Sequence, residues 1–385
     1  MRSGSVVILG STVTALGVLR EARRLGLSCT IFDTRAGIAM RSRYAASALA
    51  QESNERALLR ALTGLGTKHC ALIATEDRWL EFIAAHRDSL QAVYGEVLVP
   101  SNEALRICLD KAAFAAWCER HGLPGCRSWS LDQLAEVRLP ALIRPATTLH
   151  GRQDMGLPKA VFVDSLDALN EYAARFRACG QDALVSESLL DRQVVQYSVP
   201  FAARRGEILS FVARKVRPPA SWAATGTCVE LHPNAEVEYI ARRAVETLDY
   251  LGVGEVEILQ SQRDGRCYLI EINARPWVQY SIAAASGHDL LGFALGGSGQ
   301  RAAVRQTKQG VRWLNLSADL YVCFSRSEGL YGQGKLSLAQ YAASVLKANA
   351  YAFFDWRDPW PAMTELAALL GQVLPSAFRA AWHRA

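Results

Sequence analysis

The feature that most restricts this fold is the grammar of the first hundred residues, where short apolar runs alternate with stretches at helical spacing. Ser5–Leu9 reads as a strand, a helix runs through Leu25, and Cys29–Phe32 forms a second strand ending at Asp33. Ala71–Ala74, a helix over Arg78–Leu90, and Val97–Val99 before Pro100 continue the pattern. Such alternation belongs to a mostly parallel sheet with right-handed crossovers. Gly10 and Gly17 do not complete a G-x-G-x-x-G fingerprint. Asp33 sits where a ribose-binding acid would, which leaves a nicotinamide-dependent oxidoreductase as an alternative reading.

The chain has 385 residues, with 43 Lys and Arg against 37 Asp and Glu, a net charge of +6, 50% hydrophobic and 21% charged residues. This length accommodates two or three domains with clefts between them, and the composition excludes disorder, collagen and coiled coil. The basic excess is spread evenly, without a Lys/Arg block. It therefore argues against a nucleic-acid partner and suits an anionic small molecule. Nine cysteines, an odd number without a CxxC pair, point to a reducing cytoplasm rather than a disulfide framework or zinc site. Val6–Leu19 carries Gly10, Ser11, Thr12 and Thr14 and runs into Arg20–Arg24, so it reads as strand, turn and helix, not as a signal peptide. No window is apolar enough to span a membrane.

Farther on, Ser101–Leu123 is helical, and a second α/β section follows: strand Pro140–Pro145, a polar loop over 147–158, strand Lys159–Val163, helix Ser165–Cys179 and strand Ala183–Glu187. After Asp191 the pattern turns antiparallel, with Val194–Ala203 and Ile208–Val216. A helix over Glu236–Leu251 precedes a hairpin, Gly254–Leu259 and Arg266–Ile272, around Asp264-Gly265. Period two puts Glu271 and Asn273 on one face of that hairpin, and pairing across the turn brings Glu257 beside them. Two carboxylates and an amide are oxygen donors that Mg²⁺ accepts while it also holds phosphates. Arg275 lies on the same side. Solvated acids on an outward face are the other reading. The apolar neighbours Ile270, Ile272 and Trp277 and the upstream cations Arg144, Lys159, Arg214, Lys215 and Arg217 favour a phosphate site, because phosphate charge needs compensation from both sides.

Several pieces recur in a specific order: Ser42-Arg43-Tyr44, Leu109-Asp110-Lys111, Pro140–Pro145, Val185-Ser186-Glu187, Ala213–Arg217, Gly254–Glu257, Leu269–Trp277 and Asp358–Pro361. In them the chain resembles the ATP-grasp superfamily, and within it the cytosolic carboxylate–amine ligases. The resemblance implies an α/β and α+β molecule. Residues 1–108 would be a Rossmann-like pre-ATP-grasp domain, 109–190 the N-terminal lid subdomain, 191–300 the C-terminal subdomain with the metal site, and 301–385 a C-terminal helical appendage. It implies ATP and Mg²⁺, with Mn²⁺ as a substitute. Glu257, Glu271 and Asn273 match the metal ligands, and Arg275, Lys215 and Arg217 the catalytic cations. Arg144, Lys159, Lys111, Glu187, Ser188 and Leu190 match positions around the nucleotide, and Arg214 and Trp277 positions at the substrate.

The implied activity turns a small carboxylate, an amino acid or related acid, into an acyl phosphate and joins it to an amine, releasing ADP and phosphate. A catalytically degenerate nucleotide-binding protein is the alternative within the same fold. The chain departs from the pattern in three places. Arg144 stands where a lysine is expected, the 147–158 loop has only Gly151 and Gly156, and Gln193-Val194-Val195 replaces an acid that holds ribose. His150 lies in that loop, so it is the histidine to watch. The aromatic residues from Trp313 to Trp360 are expected to pack the appendage onto the cleft, and a homodimer is the default assembly.

Overall fold

Apolar pentads flanked by helices bury both faces when they pair in parallel, and the N-terminal third does so. The computed structural model describes residues 4–50, 54–146, 160–189, 192–217, 226–296, 308–325 and 329–373. Ser5–Leu9 (β1), Ser28–Asp33 (β2), Ala46–Leu49 (β3), Cys70–Ala74 (β4) and Glu96–Val97 (β5) form a five-stranded parallel sheet in the order β3-β2-β1-β4-β5. Gly10 has φ +107° at the turn out of β1, and a Cβ there would collide with Thr75 Oγ1. Asp33, at the end of β2, is buried, and both its oxygens are engaged by Ser11 Oγ, Thr34 N and Arg78. It is therefore committed inside the protein rather than offered to a ribose.

The crossovers are the helices Val13–Arg24 (α1), Glu55–Leu65 (α2), Asp77–Ala85 (α3) and Arg87–Val93 (α4). The single helix expected over 78–90 is broken at His86, whose backbone leaves helical geometry while its ring nitrogen bonds Glu55 of α2 at 2.8 Å. Likewise the 101–123 segment divides into Asn102–Leu109 (α5) and Lys111–Arg120 (α6). Asp110 between them is extended, and its side chain caps α6 by accepting from Ala112 N and Ala113 N at 2.9 Å.

A four-stranded antiparallel sheet follows, built from Ser128–Ser130 (β6), Ala141–Pro145 (β7), Val161–Val163 (β8) and Ala183–Glu187 (β9) in the order β6-β9-β7-β8. Helix Leu166–Ala178 (α7) covers one face. Ile143, Val163, Leu169, Phe176 and Val185 there make a core of their own. The largest sheet has eight strands: Val194–Arg204 (β10), Glu207–Ser210 (β11), Ala213–Lys215 (β12), Cys228–Leu231 (β13), Gly252–Ser261 (β14), Cys267–Asn273 (β15), Arg312–Leu314 (β16) and Ala350–Tyr351 (β17). The strand expected over 208–216 is two strands, both paired to the long β10. Helix Ala235–Thr247 (α8) packs against one face, in a core shared with the parallel sheet.

The C-terminal region differs from a purely helical appendage. Its strands β16 and β17 complete the central sheet, with Trp313 fully buried in β16. Nor do all its aromatic residues pack inward: Tyr321 is 71% exposed and Trp356 73%. Backbone pairing of β16 and β17, with Trp313 in the core shared with the parallel sheet, carries the attachment. A second tie is Asp358, fully buried, which accepts from Arg20 Nε at 3.1 Å, Ser42 Oγ at 2.8 Å and Arg43 N at 3.0 Å. Among the described residues no helix is long and apolar enough to cross a membrane.

Two outcomes follow from this packing. Phe176→Ala removes a fully buried ring from the core of the four-stranded sheet and is expected to cost about 3–5 kcal/mol there. Hydrogen exchange should then accelerate across β7 and β9 while β1 and β4 stay protected. Glu21 of α1 is 2% exposed, and one of its oxygens has no hydrogen-bond partner among the described residues. Burial, then neighbouring Asp289, pushes its pKa from 4.5 to about 8, with Tyr280 and Arg24 opposing. The unfolded chain releases this proton first, so the stability linked to Glu21 is full below about pH 4.5 and is lost as pH rises toward 8. Urea midpoints of wild type should therefore fall over that range more steeply than those of Glu21→Gln.

Candidate functional site

Strand periodicity builds the site. β14 and β15 pair antiparallel with Glu255 opposite Asn273 and Glu257 opposite Glu271, and a bulge after Glu257 absorbs the odd residue. Alternation then sets Glu255, Glu257, Glu271 and Asn273 on one face, while Val256, Ile258 and Ile272 fill the core on the other. Ser198 of β10 pairs with Glu257 on the acid-bearing face. Three carboxylates and an amide thus form a ladder across two strands.

Each rung is compensated. Lys215 Nζ, 5% exposed, lies 3.2 and 3.3 Å from the two oxygens of Glu257, and Gln196 Nε2 donates to Glu257 at 2.7 Å. Glu255, 3% exposed, accepts from Ser198 Oγ and from Asn273 Nδ2 at 3.0 Å. Burial, then the Glu257 charge, raises the pKa of Glu255 above the usual carboxylate range. The same two causes raise that of Glu271, against the charges of Arg144, Lys111 and Lys215.

Those cations come from separate parts of the chain. Lys111 begins α6, Lys215 ends β12, and Arg144 belongs to β7, where Ala141 and Ile143 turn into the core of the four-stranded sheet and Arg144 turns out. Arg144 keeps unspent donor capacity. Its Nε is buried without a hydrogen-bond partner among the described residues, while its other end reaches Ser186 Oγ at 3.4 Å. Burial lowers its pKa, with Cys126 and Glu271 acting the other way. At the far end of the ladder, Arg275 makes a forked pair with Asp77 at the start of α3, 2.6 and 3.3 Å. Burial disfavours its charge, but Asp77, then Glu255 and Glu271, outweigh that and raise its pKa.

The remaining expected site residues lie elsewhere or are already engaged. Arg214 pairs with Tyr197 across β10, hence on the opposite face from Lys215, and bonds Glu230 there together with Arg312. Arg217 is 4% exposed and donates to Asp319 at 2.6 Å and to Ser344 Oγ at 2.5 Å, so its guanidinium anchors the C-terminal region. Trp277 is 2% exposed and packs on Tyr280 and Phe211, a core position rather than a substrate wall. Glu187 accepts from Arg127 N at 2.9 Å and Arg192 Nη2 at 3.3 Å, and Ser188 N donates to Pro140 O at 3.2 Å. Lys159, Leu190 and His150 lie outside the described residues. Glu255, Gln196, Ser198 and Asp77 join the site without having been singled out in the sequence. For Glu255 the signal was present, because Glu255-Val256-Glu257 repeats an acid at strand period.

No family model matches the chain, and no curated protein matches it. Solved structures do. The biotin carboxylase domain of Hydrogenobacter thermophilus 2-oxoglutarate carboxylase, in complex with MgADP, ADP and bicarbonate, superposes with a TM-score of 0.62 at 14% identity, over 81% of this chain and 74% of that one. The chain has the ATP-grasp fold. The L-amino acid ligase of Bacillus licheniformis shares that ATP-grasp architecture, with a TM-score of 0.57 and 15% identity over 80% of this chain and 76% of the ligase. Pyruvate carboxylase from Rhizobium etli matches at 0.62 and 15% identity over 80% of this chain, which spans only 30% of that longer protein.

The donor set suits a metal–nucleotide. Among the described residues no three His, Cys, Asp or Glu side chains form a metal site by themselves. Glu257, Glu271 and Asn273 could hold a hard cation whose coordination phosphate oxygens complete. Breaking the Arg217–Asp319 pair tests its anchoring role: Asp319→Ala leaves a buried guanidinium without its carboxylate, and about 3–5 kcal/mol of stability should be lost. Thermal unfolding measures this.

Proposed function

We propose that this protein is an ATP-dependent carboxylate–amine ligase that forms an amide and releases ADP and phosphate. One observation carries the reading: the charges of Arg144, Lys111 and Lys215 converge on Glu271 of the acid pair, and Arg144 Nε is a buried donor with no partner among the described residues. A triphosphate requires cations on one side and an acid-held divalent ion on the other, and these residues supply both. The acyl acceptor chemistry takes support from the fold's occurrence in an L-amino acid ligase. In this reading 1–108 is a Rossmann-like domain, 109–190 the lid, 191–300 the metal-bearing subdomain and 301–385 the C-terminal part. The partners in this reading are a small acid of the amino-acid class and an amine, met in the cytoplasm, with no nucleic acid or membrane involved.

A carboxylate does not condense with an amine in water because oxide would have to leave. Phosphorylation replaces that leaving group with phosphate. The carboxylate oxygen attacks the γ-phosphorus in line and ADP departs; the amine nitrogen then attacks the acyl carbon, phosphate departs, and the nitrogen loses a proton. Mg²⁺ (or Mn²⁺), held by Glu257, Glu271 and Asn273, would neutralise phosphate charge. Arg144, Lys111 and Arg275 add fixed positive charge around the transferring group. Lys215, paired with Glu257 at 3.2 Å, would turn its ammonium to the substrate carboxylate if Glu257 were engaged as a metal ligand. The lid sheet, with a core independent of the rest, can close as a body and exclude water from a hydrolysable intermediate.

The test is incubation with Mg-ATP and pooled acids and amines, followed by ADP release and mass detection of the product. ADP should form only when both substrates are present. Glu271→Ala should lower kcat by about 10²–10³ or more, with circular dichroism unchanged. Parental turnover in that variant would remove Glu271 from the mechanism. Nucleotide binding without turnover under every substrate combination would favour the degenerate reading.

A further inference from the structure

We infer that Glu255 is a positioning residue for the cation site: it holds the Asn273 amide by its nitrogen and leaves Asn273 Oδ1 as the end that meets the metal. The inference rests on the metal site of the ligase reading and deepens it. A side-chain amide has two ends of nearly equal shape and opposite polarity. Only the oxygen can ligate a cation, and a flipped amide would aim N–H groups at it. A rigid device that fixes the flip therefore matters as much as the ligand itself.

The structure contains such a device. Asn273 stands directly opposite Glu255 in the β14–β15 ladder, and Nδ2 donates to Glu255 Oε2 at 3.0 Å. Oε2 accepts here from the amide N–H, a bond the flipped amide oxygen could not supply, so this rung selects one orientation. Glu255 cannot swing away, because its other oxygen accepts from Ser198 Oγ on β10 and the residue is 3% exposed. Three strands thus set one torsion. Held between Ser198 and Asn273 and 3% exposed, Glu255 serves Asn273, while Glu257, 16% exposed, is the acid of β14 that is open to a ligand. The Glu257–Glu271 pair is the next rung along. A third acid beside two others is electrostatically costly, and a small apolar residue would fill this strand position at less cost. The hold on Asn273 is what the carboxylate adds.

Mn²⁺ binding, followed by electron paramagnetic resonance with a non-hydrolysable ATP analogue present, tests this without turnover. Glu255→Leu should weaken Mn²⁺ binding by about 10–100-fold, as loss of a group that orients a ligand does. Glu255→Gln, which can still accept from Asn273 Nδ2, should recover most of that loss. On an Asn273→Ala background, Glu255→Leu should add nothing further. Wild-type Mn²⁺ affinity in Glu255→Leu, or the same loss with and without Asn273, would overturn the assignment. Should Glu255→Leu fail to fold, Ser198→Ala, which loosens Glu255, must show a smaller weakening that vanishes on the Asn273→Ala background. Absence of any Mn²⁺-dependent analogue binding in wild type would instead overturn the ligase reading itself.

Discussion

Acids that share a buried sheet face repel one another and lose hydration, and the structure depends on how that cost is met. Glu255, Glu257 and Glu271 can coexist because every part of the molecule sends something to them. The lid sheet sends Arg144, α6 sends Lys111, β12 sends Lys215, and β10 sends Gln196 and Ser198. Arg275, continuing the same strand, is anchored by Asp77 of the parallel-sheet unit. Domain arrangement and site chemistry are therefore one problem: moving any of these units away strands charge.

The apolar cores show how much movement each unit can make. One cluster runs from Val7 and Leu72 of the parallel sheet through Trp117 to Val256 and Ile272 of the central sheet. Those parts cannot separate without opening a common core. The four-stranded sheet closes its own around Ile143 and Phe176. In the proposed ligase such a separate core would let that sheet move as a body.

Much of this was readable from residues. The apolar pentads gave the parallel sheet, and Asp-Gly between alternating runs located the hairpin whose register faces Glu257 with Glu271. What escaped has physical causes. β3, with the sequence Ala46-Ser47-Ala48-Leu49, lacks β-branched residues, so nothing local marks it as a strand. β16 and β17 are short and receive their partners from distant segments. Arg214, Lys215 and Arg217 read as one basic patch, yet strand alternation turns Arg214 to the far face, and the buried Asp319 claims Arg217. Composition reveals a cluster of cations; only pairing decides which of them face the acids. Asp77 lies 198 residues from Arg275, beyond any spacing rule.

The tie between Arg20 and Asp358 bears on how the protein is born. Its partners are 338 residues apart, one in the first helix and one past the last strand of the central sheet. During synthesis the guanidinium of α1 emerges 338 residues ahead of its counter-charge. Until Asp358 follows, the nascent parallel sheet carries an unmet cation on one flank, and that contact of the helix has to wait for it.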